Sequence, residues 1–231
     1  MQVIKHKSVM NSSQILIVGS GAQGRIVLDI LRAQGQQHQI EFVDDNRDLW
    51  GKEINGIRVG GGLEYAFEQD REHCEVIVAI GRPLRRMDLV DRLRARGVRF
   101  LNAIHPTAVI APSAAVGVGN TLSAGAIVNT DARLGDHILI NTGVIVEHDC
   151  VVSHGASLSP GVILGGRVRI EQRAFLGLRA LVQPILKIGK DAVIAAGSVV
   201  TMDVPDQVLV AGVPARMLAR VDESFDWSRA L

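Results

Sequence analysis

The sequence predicts an α/β Rossmann-like domain followed by an all-β, left-handed parallel β-helix built from hexapeptide repeats. Three observations indicate this fold class: a GxGxxG turn near the N-terminus, an aliphatic residue at every sixth position of the second half, and a hydrophobic content of 47% with only 3% aromatic residues. A core with so few rings has to be built from aliphatic side chains. We expect the Rossmann-like domain at residues 12–102, the β-helix at 103–202 and a C-terminal tail at 203–231.

The first hundred residues alternate between strand-like and helix-like patterns. Buried strands are predicted at residues 14–19, 40–43 and 75–80, with a last short strand at 98–101. Apolar residues at helical spacing predict helices at 25–33 and 84–97. This alternation predicts βαβ units around a parallel sheet. We expect about half the strands of the usual six-stranded dinucleotide-binding sheet.

A glycine-rich turn joins the first predicted strand to the first predicted helix, with the sequence Gly19-Ser20-Gly21-Ala22-Gln23-Gly24. Glycines here let a phosphate approach the exposed N–H groups of the helix N-terminus. Asp44 follows about twenty residues later, where a carboxylate can accept hydrogen bonds from ribose hydroxyls. The motif alone predicts NAD. The domain is short and no second dehydrogenase domain follows, so a different nucleotide is favoured, and a turn that binds nothing is the alternative.

An unbroken ladder of Ile, Leu and Val runs through the second half of the chain. Its members are Ile104, Ile110, Val116, Leu122, Val128, Leu134, Ile140, Val146, Val152, Leu158, Leu164, Ile170, Leu176, Val182, Ile188, Ile194 and Val200. A period of six fits neither an α-helix nor an exposed strand. It is typical of a triangular coil of about eighteen residues, in which each side points one aliphatic residue inward.

A second column of mostly small side chains accompanies the ladder. It stands four residues after each ladder position, as at Ala126, Ala132, Ala156, Ala174 and Ala180. Small residues fit near the corners of a triangular coil, where large ones would collide. The ladder contains no inserted segment, so we expect about five stacked coils without a protruding loop.

One histidine of the repeat region is a candidate general base. His148 stands two positions after the ladder residue Val146, which predicts an outward side chain, and it lies between Glu147 and Asp149. Imidazole titrates near neutral pH, and a neighbouring carboxylate stabilises the imidazolium form. From spacing alone, a solvated surface histidine is the simpler interpretation. The sequence contains no Ser-His-Asp motif, and neither of its two cysteines has metal-ligand spacing.

The charge pattern argues against several classes of function. Lys and Arg number 25 and Asp and Glu 24, a net charge of +1. This balance predicts neither a nucleic-acid partner nor a membrane-surface partner. The N-terminal residues have no signal-peptide pattern, and no apolar run reaches the length of a membrane span. We therefore expect a cytoplasmic protein.

Several motifs together resemble a known family, the sugar O- and N-acetyltransferases of the sialic acid O-acetyltransferase type. Especially similar are the N-acetyltransferases that act on nucleotide-linked amino sugars in the bacillosamine and perosamine pathways. The resemblance covers about residues 14–218. Its motifs are Val18-Gly19-Ser20-Gly21-Ala22-Gln23-Gly24, Phe42-Val43-Asp44-Asp45, Gly51-Lys52-Glu53-Ile54-Asn55-Gly56, Val78-Ala79-Ile80-Gly81, Glu147-His148-Asp149-Cys150 and Ala211-Gly212-Val213-Pro214-Ala215-Arg216.

The resemblance implies a reaction and a set of roles. His148 would be the base that deprotonates the acceptor as it attacks the thioester of acetyl-CoA, and Asp149 would orient it. The nucleotide of the sugar substrate would lie against Gly21, Ala22, Gln23, Asp44, Asp45 and Gly81. The arm of the co-substrate acetyl-CoA would lie along backbone groups near Ser157, Gly166, Leu178 and Ala196. The family also implies a homotrimer with active sites between subunits, no bound metal, and a role in cell-surface polysaccharide biosynthesis.

Three positions depart from patterns seen in some family members, which carry His where this chain has Gln23 and Ser157 and Glu where it has Asp149. The identity of the nucleotide base is therefore open between uridine, guanosine and thymidine.

The end of the chain follows a different pattern. The segment from Thr201 leaves the ladder, and Pro205 and Pro214 predict a break in regular structure. Arg216 and Arg220 of this predicted tail are either contacts for the CoA phosphates or solvated charges.

Four functions are open at this point. The first is N-acetylation of a nucleotide-linked amino sugar, and the second is O-acetylation of sialic acid or another glycan sugar. The third is a sugar-nucleotide-binding module without catalysis, against which the intact His148-Asp149 pair argues. The fourth is a small NAD-dependent oxidoreductase, against which the β-helix and the Gly-Val-Pro-Ala-Arg segment at 212–216 argue.

Overall fold

The computed structural model describes residues 14–35, 39–69, 74–222 and 225. The N-terminal domain contains six strands and three α-helices within these residues. Its elements are β1 (Gln14–Val18), α1 (Ala22–Ala33), β2 (Gln39–Val43), β3 (Glu53–Ile54), β4 (Ile57–Gly61), α2 (Leu63–Glu68), β5 (Cys74–Val78), α3 (Pro83–Arg94) and β6 (Arg99–Phe100), with a short 3₁₀ helix at Arg47–Leu49.

The six strands form one sheet in the order β3-β4-β2-β1-β5-β6. Neighbouring strands are parallel except for β3, which pairs antiparallel with β4. The expectation of about half the usual sheet is therefore wrong. The strands β3 and β4 were missed because their segment is short and rich in glycine, which hides the apolar periodicity.

The second domain is the predicted β-helix, and every ladder position is the second residue of a two-residue strand. The strands are β7 (Ala103–Ile104), β8 (Val109–Ile110), β9 (Ala115–Val116), β10 (Thr121–Leu122), β11 (Ile127–Val128), β12 (Arg133–Leu134), β13 (Leu139–Ile140), β14 (Ile145–Val146), β15 (Val151–Val152), β16 (Ser157–Leu158), β17 (Ile163–Leu164), β18 (Arg169–Ile170), β19 (Phe175–Leu176), β20 (Leu181–Val182), β21 (Lys187–Ile188), β22 (Val193–Ile194) and β23 (Val199–Val200).

Each strand from β7 to β20 pairs in parallel with the strand eighteen residues further on, as Leu122 does with Ile140. The ladder residues and the small residues between them point inward and form one continuous core. At many corners the chain turns through a residue of positive φ, such as Gly143 at 66° or Asp149 at 60°. Glycine and Asp adopt this left-handed conformation at low cost, which explains their frequency at the corners.

The three faces of the prism differ in what covers them. The first face (β7, β10, β13, β16, β19 and β22) has mostly buried outward residues, because the N-terminal domain and the C-terminal residues Val221 and Phe225 pack on it. The third face (β9, β12, β15, β18 and β21) exposes polar residues such as Arg133, Arg169 and Lys187. On the second face (β8, β11, β14, β17, β20 and β23) the outward residues are all aliphatic: Val109, Ile127, Ile145, Ile163, Leu181 and Val199.

The C-terminal segment continues the β-helix, which corrects the predicted irregular tail. Strand β24 (Val208–Gly212) pairs in parallel with β22, and β25 (Ala215–Arg220) folds back antiparallel to β24. Both prolines lie outside these two strands, so they end regular segments without preventing them. Arg216 donates from Nη1 to the carbonyl of Ala215 at 2.9 Å. The tail prediction for 223–224 and 226–231 lies outside the described residues.

The described helices include none with the length and apolarity required to cross a membrane.

Candidate functional site

His148 lies on an exposed corner of the β-helix between the second and third faces. The corner connects β14 to β15 and is fixed by backbone hydrogen bonds to the coils on both sides. The N–H of Asp149 donates to the carbonyl of Thr130 at 3.0 Å, and the N–H of Arg167 donates to the carbonyl of His148 at 2.9 Å. The repeat therefore holds the imidazole at a set height along the prism while leaving half of it exposed.

The imidazole of His148 is paired with the neighbouring carboxylate. Its Nδ1 lies 2.9 Å from Oδ2 of Asp149. An ionised carboxylate can only accept, so Nδ1 carries the proton in this contact and Nε2 keeps a free lone pair. The guanidinium of Arg167 approaches the same carboxylate oxygen at 3.9 Å. This arrangement suits a general base whose tautomer is set by an acidic neighbour.

Gly166 makes room for this imidazole one coil further along the prism. A Cβ atom on Gly166 would collide with the ring at Nε2. The predicted site residues His148 and Gly166 are therefore in direct contact, and the absence of a side chain at Gly166 lets the ring lie against the next coil.

Cys150, next to the pair, is not a nucleophile. Its side chain is buried inside the coil and its Sγ donates to the carbonyl of Gly165 at 3.2 Å. Burial raises the pKa of the Cys150 thiol to about 11. The thiol therefore stays protonated at neutral pH, and the corner provides a base without a covalent acceptor for the acyl group.

The glycine-rich turn of the N-terminal domain forms an open helix N-terminus. Gly21 caps α1 without any side-chain hydrogen bond, and a Cβ atom there would meet nothing within 4 Å. In contrast, a Cβ at Gly24 would collide with the carbonyl of Gly19, so the absence of a side chain at Gly24 allows α1 to approach the end of β1 closely. The N–H groups at the start of α1, beginning at Ala22 and Gln23, can therefore receive an anion. The amide Nε2 of Gln23 is buried and has no partner within the described structure.

Asp44 and Asp45 lie beside this turn at the carboxyl end of β2. Oδ2 of Asp44 accepts from the N–H of Ser20 at 2.9 Å and from its hydroxyl at 2.6 Å. Burial acts to raise the pKa of Asp44, but the hydrogen bonds from Ser20 and Asn46 outweigh it and hold the pKa below the ordinary value. The carboxylate is thus ionised and holds the glycine-rich turn in place. Asp45 pairs with Arg85 at 2.9 Å.

A cavity of about 160 Å³ opens at the carboxyl ends of β1, β2 and β5. Its lining includes Gly19, Asp44, Asp45, Ile80 and Arg85. The predicted residue Gly81 directly follows Ile80, and a Cβ there would also meet open space. The sheet therefore gathers the predicted nucleotide residues at one edge, as expected for the crevice at the carboxyl ends of parallel strands.

The predicted contacts for the acyl-CoA arm lie in three places, the first of which is Gly166 beside His148. Leu178 and Ala196 are exposed on one corner, where the N–H of Gly197 donates to the carbonyl of Leu178 at 2.7 Å. Ser157 lies elsewhere, buried at the junction of the two domains. Its hydroxyl donates to the carbonyl of Gly81 at 3.4 Å. The side chain of Ser157 thus belongs to the domain junction rather than to an exposed groove.

Sequence reasoning missed Ser20, Arg85 and Arg86. The hydroxyl of Ser20 and the guanidinium of Arg85 hold the two aspartates, and Arg86 joins the two domains. One signal was available for Arg86, since it stands at helical spacing from the buried Leu89, Val90 and Leu93. The described residues contain no cluster of three or more His, Cys, Asp or Glu side chains that could hold a metal ion.

Two family models match the chain. Residues 14–93 match the PglD N-terminal domain, and residues 167–202 match the hexapeptide repeat of succinyl-transferase.

Solved structures match it over nearly their whole length. Perosamine N-acetyltransferase from Caulobacter crescentus, a histidine-to-asparagine variant in complex with CoA and GDP-perosamine, is 37% identical with a TM-score of 0.83, covering 89% of this chain and 97% of that chain. The acetyltransferase domain of PglB from Neisseria gonorrhoeae FA1090, in complex with acetyl coenzyme A, is 31% identical with a TM-score of 0.86 and coverage of 90% and 100%. WeeI from Acinetobacter baumannii AYE is 30% identical with a TM-score of 0.82 and coverage of 88% and 99%.

Curated relatives match over shorter stretches. Galactoside O-acetyltransferase from Lactococcus lactis subsp. lactis (strain IL1403) is 41% identical over 58 residues, which are 25% of this chain and 28% of the relative. A 2,3,4,5-tetrahydropyridine-2,6-dicarboxylate N-acetyltransferase from Clostridium perfringens (strain SM101 / Type A) is 50% identical over 54 residues, which are 23% of each. The match thus spans about a quarter of the length of these curated relatives.

Proposed function

The chain belongs to the family of acetyl-CoA-dependent sugar acetyltransferases that join a PglD-type N-terminal domain to a hexapeptide-repeat β-helix, and from that premise we propose its reaction. It transfers the acetyl group of acetyl-CoA to the amino group of a nucleotide-linked amino sugar. The observation that carries this proposal is the His148-Asp149 pair, with Nδ1 and Oδ2 at 2.9 Å on an exposed corner of the coil.

The chemistry assigned to His148 is direct transfer. The lone pair of Nε2 accepts a proton from the acceptor amine as its nitrogen attacks the thioester carbonyl, so that a C–N bond forms. The tetrahedral intermediate then collapses with cleavage of the C–S bond, and the proton passes from His148 to the departing CoA sulfur. Asp149 stabilises the imidazolium that exists between these steps. The protonated thiol of Cys150 takes no part, so no acyl-enzyme is needed.

The nucleotide part of the substrate is assigned to the N-terminal domain. The open N-terminus of α1 at Gly21 and Ala22 offers N–H groups to the pyrophosphate. Gln23 supplies an amide nitrogen that lacks a partner, and Asp45 and Gly81 border the same edge of the sheet. The base of the nucleotide stays open between uridine, guanosine and thymidine. The relative from Caulobacter crescentus was crystallised with GDP-perosamine, which makes guanosine the first to test.

Acetyl-CoA is assigned to the corners of the later coils. Gly166 lies beside His148, and the exposed Leu178 and Ala196 lie on a neighbouring corner. The relative from Neisseria gonorrhoeae was crystallised with acetyl coenzyme A, which supports the same co-substrate here. We expect this reaction to take place in the cytoplasm.

The complete site is proposed to form between subunits of a homotrimer. The interdomain hydrogen bonds of Arg86 and Asn102 reach the corner between the third and first faces, whereas His148 lies on the corner between the second and third. In one chain, therefore, the glycine-rich turn (residues 19–24, here called the nucleotide turn) and the base His148 lie near different corners of the prism. The aliphatic second face, which borders His148, offers the apolar surface that association of subunits would bury.

The first test is to incubate the protein with acetyl-CoA and a panel of nucleotide-linked amino sugars while measuring release of free thiol. We expect release with one amino sugar and its loss in His148→Ala. Release only with sialic acid or another free sugar would move the reaction to O-acetylation. Release that persists in His148→Ala would contradict the assignment of the base.

A further inference from the structure

A buried arginine joins the two domains. Arg86 lies in the first turn of α3, and its side chain is 0% exposed. All six of its hydrogen bonds end on uncharged oxygen atoms. They run from Nε to the carbonyl of His137 (2.9 Å), from Nη1 to the carbonyls of Ile80 (2.6 Å) and Gly81 (3.2 Å), and from Nη2 to the carbonyls of Gly155 (2.7 Å) and Ala156 (3.1 Å) and the hydroxyl of Ser157 (2.8 Å).

This guanidinium is a charge held without a carboxylate among its hydrogen-bond partners. Burial lowers the pKa of Arg86 to about 9, so the group still carries its charge at neutral pH. Burying a charge is costly, and a well-packed apolar residue often stabilises a protein at least as well. A planar fork with five N–H donors, however, fixes several acceptors relative to one another, which an apolar side chain cannot do.

The two groups of acceptors belong to functionally different parts of the molecule. Ile80 and Gly81 follow β5 at the edge of the sheet, and Ile80 lines the cavity beside Asp44 and Asp45. The other acceptors lie in two successive coils of the β-helix, at the corner between the third and first faces, and include the segment 155–157 that follows the His148 corner along the chain. The guanidinium therefore sets the position of the nucleotide-binding edge relative to the catalytic coil.

We propose that Arg86 is a positioning residue for acetyl transfer, because it fixes the sugar-nucleotide domain on the coil that carries the catalytic base. The inference rests on the proposed function. In a trimer joined through its β-helices the three His148 side chains have fixed mutual positions. Fixing the N-terminal domain on its own β-helix then also fixes it relative to the His148 of a neighbouring subunit.

The test compares Arg86→Met and Arg86→Lys with Arg94→Met as a matched control. Arg94 lies on the same helix and touches His137 at the same junction, but its side chain is 51% exposed. Steady-state kinetics in both substrates, thermal melting and amide hydrogen exchange are measured on the full chain.

We expect Arg86→Met to lower kcat/KM for the nucleotide-linked sugar by about 100-fold, since small misplacements of bound substrate cost rates of this size. The KM for acetyl-CoA should stay within about twofold, because the coils that bind it do not move. Arg86→Lys keeps the charge but not the fork, and should recover part of the loss. Amide exchange around residues 79–82 should accelerate in both variants and not in Arg94→Met.

Three results would overturn the proposal. One is a kcat/KM for the sugar substrate that stays within threefold of the wild type in Arg86→Met. Another is an equal loss in both substrates together with general melting, which indicates a structural role alone. If Arg86→Met does not fold, the comparison passes to Arg86→Lys, and full activity there also contradicts it. A wild-type protein that acetylates no nucleotide-linked sugar refutes the proposed function instead, while the exchange data still test the junction.

Discussion

The position of the His148 ring over Gly166 can be tested by adding a single methyl group to Gly166. Gly166 does not have a left-handed backbone, so Ala can adopt its conformation, but the added Cβ would collide with the imidazole. We expect Gly166→Ala to lower kcat by about 100-fold, because the displaced base no longer lines up with the acceptor. The melting temperature should change little. Unchanged kcat would show that the ring does not lie over Gly166 during turnover.

Asp149 can be tested without disturbing the turn. Its φ of 60° suits Asn as well as Asp, so Asp149→Asn should fold normally. The variant loses the negative charge that stabilises the imidazolium, and we expect kcat to fall by about 100-fold with both KM values nearly unchanged. Steady-state kinetics measure this. A variant as active as the wild type would show that the negative charge of Asp149 does not contribute to the action of His148.

His137 connects protonation to stability at the domain junction. Burial lowers its pKa to about 4, with the nearby positive charge of Arg94 acting in the same direction. The unfolded imidazole titrates near pH 6.5. The unfolded chain therefore gains a proton first as the pH falls, so stability is complete above about 6.5 and is lost progressively towards pH 4, by up to about 3 kcal/mol.

The measurement is the melting temperature between pH 7.5 and 4.5. The wild type should lose stability more steeply than His137→Asn, whose amide suits the positive φ of 55° at this position. His154→Asn is the control, because His154 is half exposed. Parallel curves for the wild type and His137→Asn would exclude His137 as the source of the pH dependence.

Residues of the candidate site could be predicted from the sequence only where their type and local position indicate a role. Residues whose role depends on partners distant in the sequence could not. The place of His148 in the repeat predicts an outward imidazole beside carboxylates, and the structure shows it there, half exposed and next to Asp149. Its role as the base is implied by the family resemblance alone and stays a prediction. Arg86 was not found, because an arginine in a charged run usually indicates a solvated surface, and four of its six acceptors lie 51 to 71 positions away in the chain, three of them backbone carbonyls. Hydrogen bonds to distant backbone leave no pattern in the sequence.

At the scale of elements, the repeat was predictable because each coil depends on local spacing alone. The ladder predicted the strands β7 to β23, and the resemblance to sugar acetyltransferases is confirmed by the solved relatives. The pair β3 and β4 and the pair β24 and β25 were missed. In each pair one strand joins its sheet through a strand earlier in the chain, β2 for β4 and β22 for β24, and neither pair follows the six-residue spacing of the ladder.

One corner of the β-helix is strained, and relieving the strain should stabilise the protein. Ile185 has a φ of 70° and is 71% exposed, although β-branched residues adopt this conformation rarely. We expect Ile185→Asn to raise the free energy of unfolding by about 1 kcal/mol. Thermal melting measures the change. The control Ile185→Val keeps the branched Cβ and should gain nothing, and a destabilised Ile185→Asn would mean that the exposed side chain is buried in the assembly.

At the scale of the whole molecule, the uncovered aliphatic face and the separation of His148 from the nucleotide turn have a common explanation in a shared site. Two inactive variants test it. His148→Ala removes the base, and Gly21→Asp places a negative charge at the open N-terminus of α1, where it repels the pyrophosphate without a steric clash. Each variant alone should be inactive for a different reason.

Mixing the two chains then distinguishes a shared site from a site within one chain. After denaturation and joint refolding at equal amounts, a site shared by adjacent subunits is intact when an unaltered nucleotide turn meets an unaltered His148. In a cyclic trimer with random assembly this occurs in about a quarter of the sites, so about a quarter of the wild-type activity should return. A site contained in one chain has no intact combination in any mixture. Refolded mixtures that contain trimers by sedimentation but stay inactive would therefore place the nucleotide turn and the base of one site on a single chain.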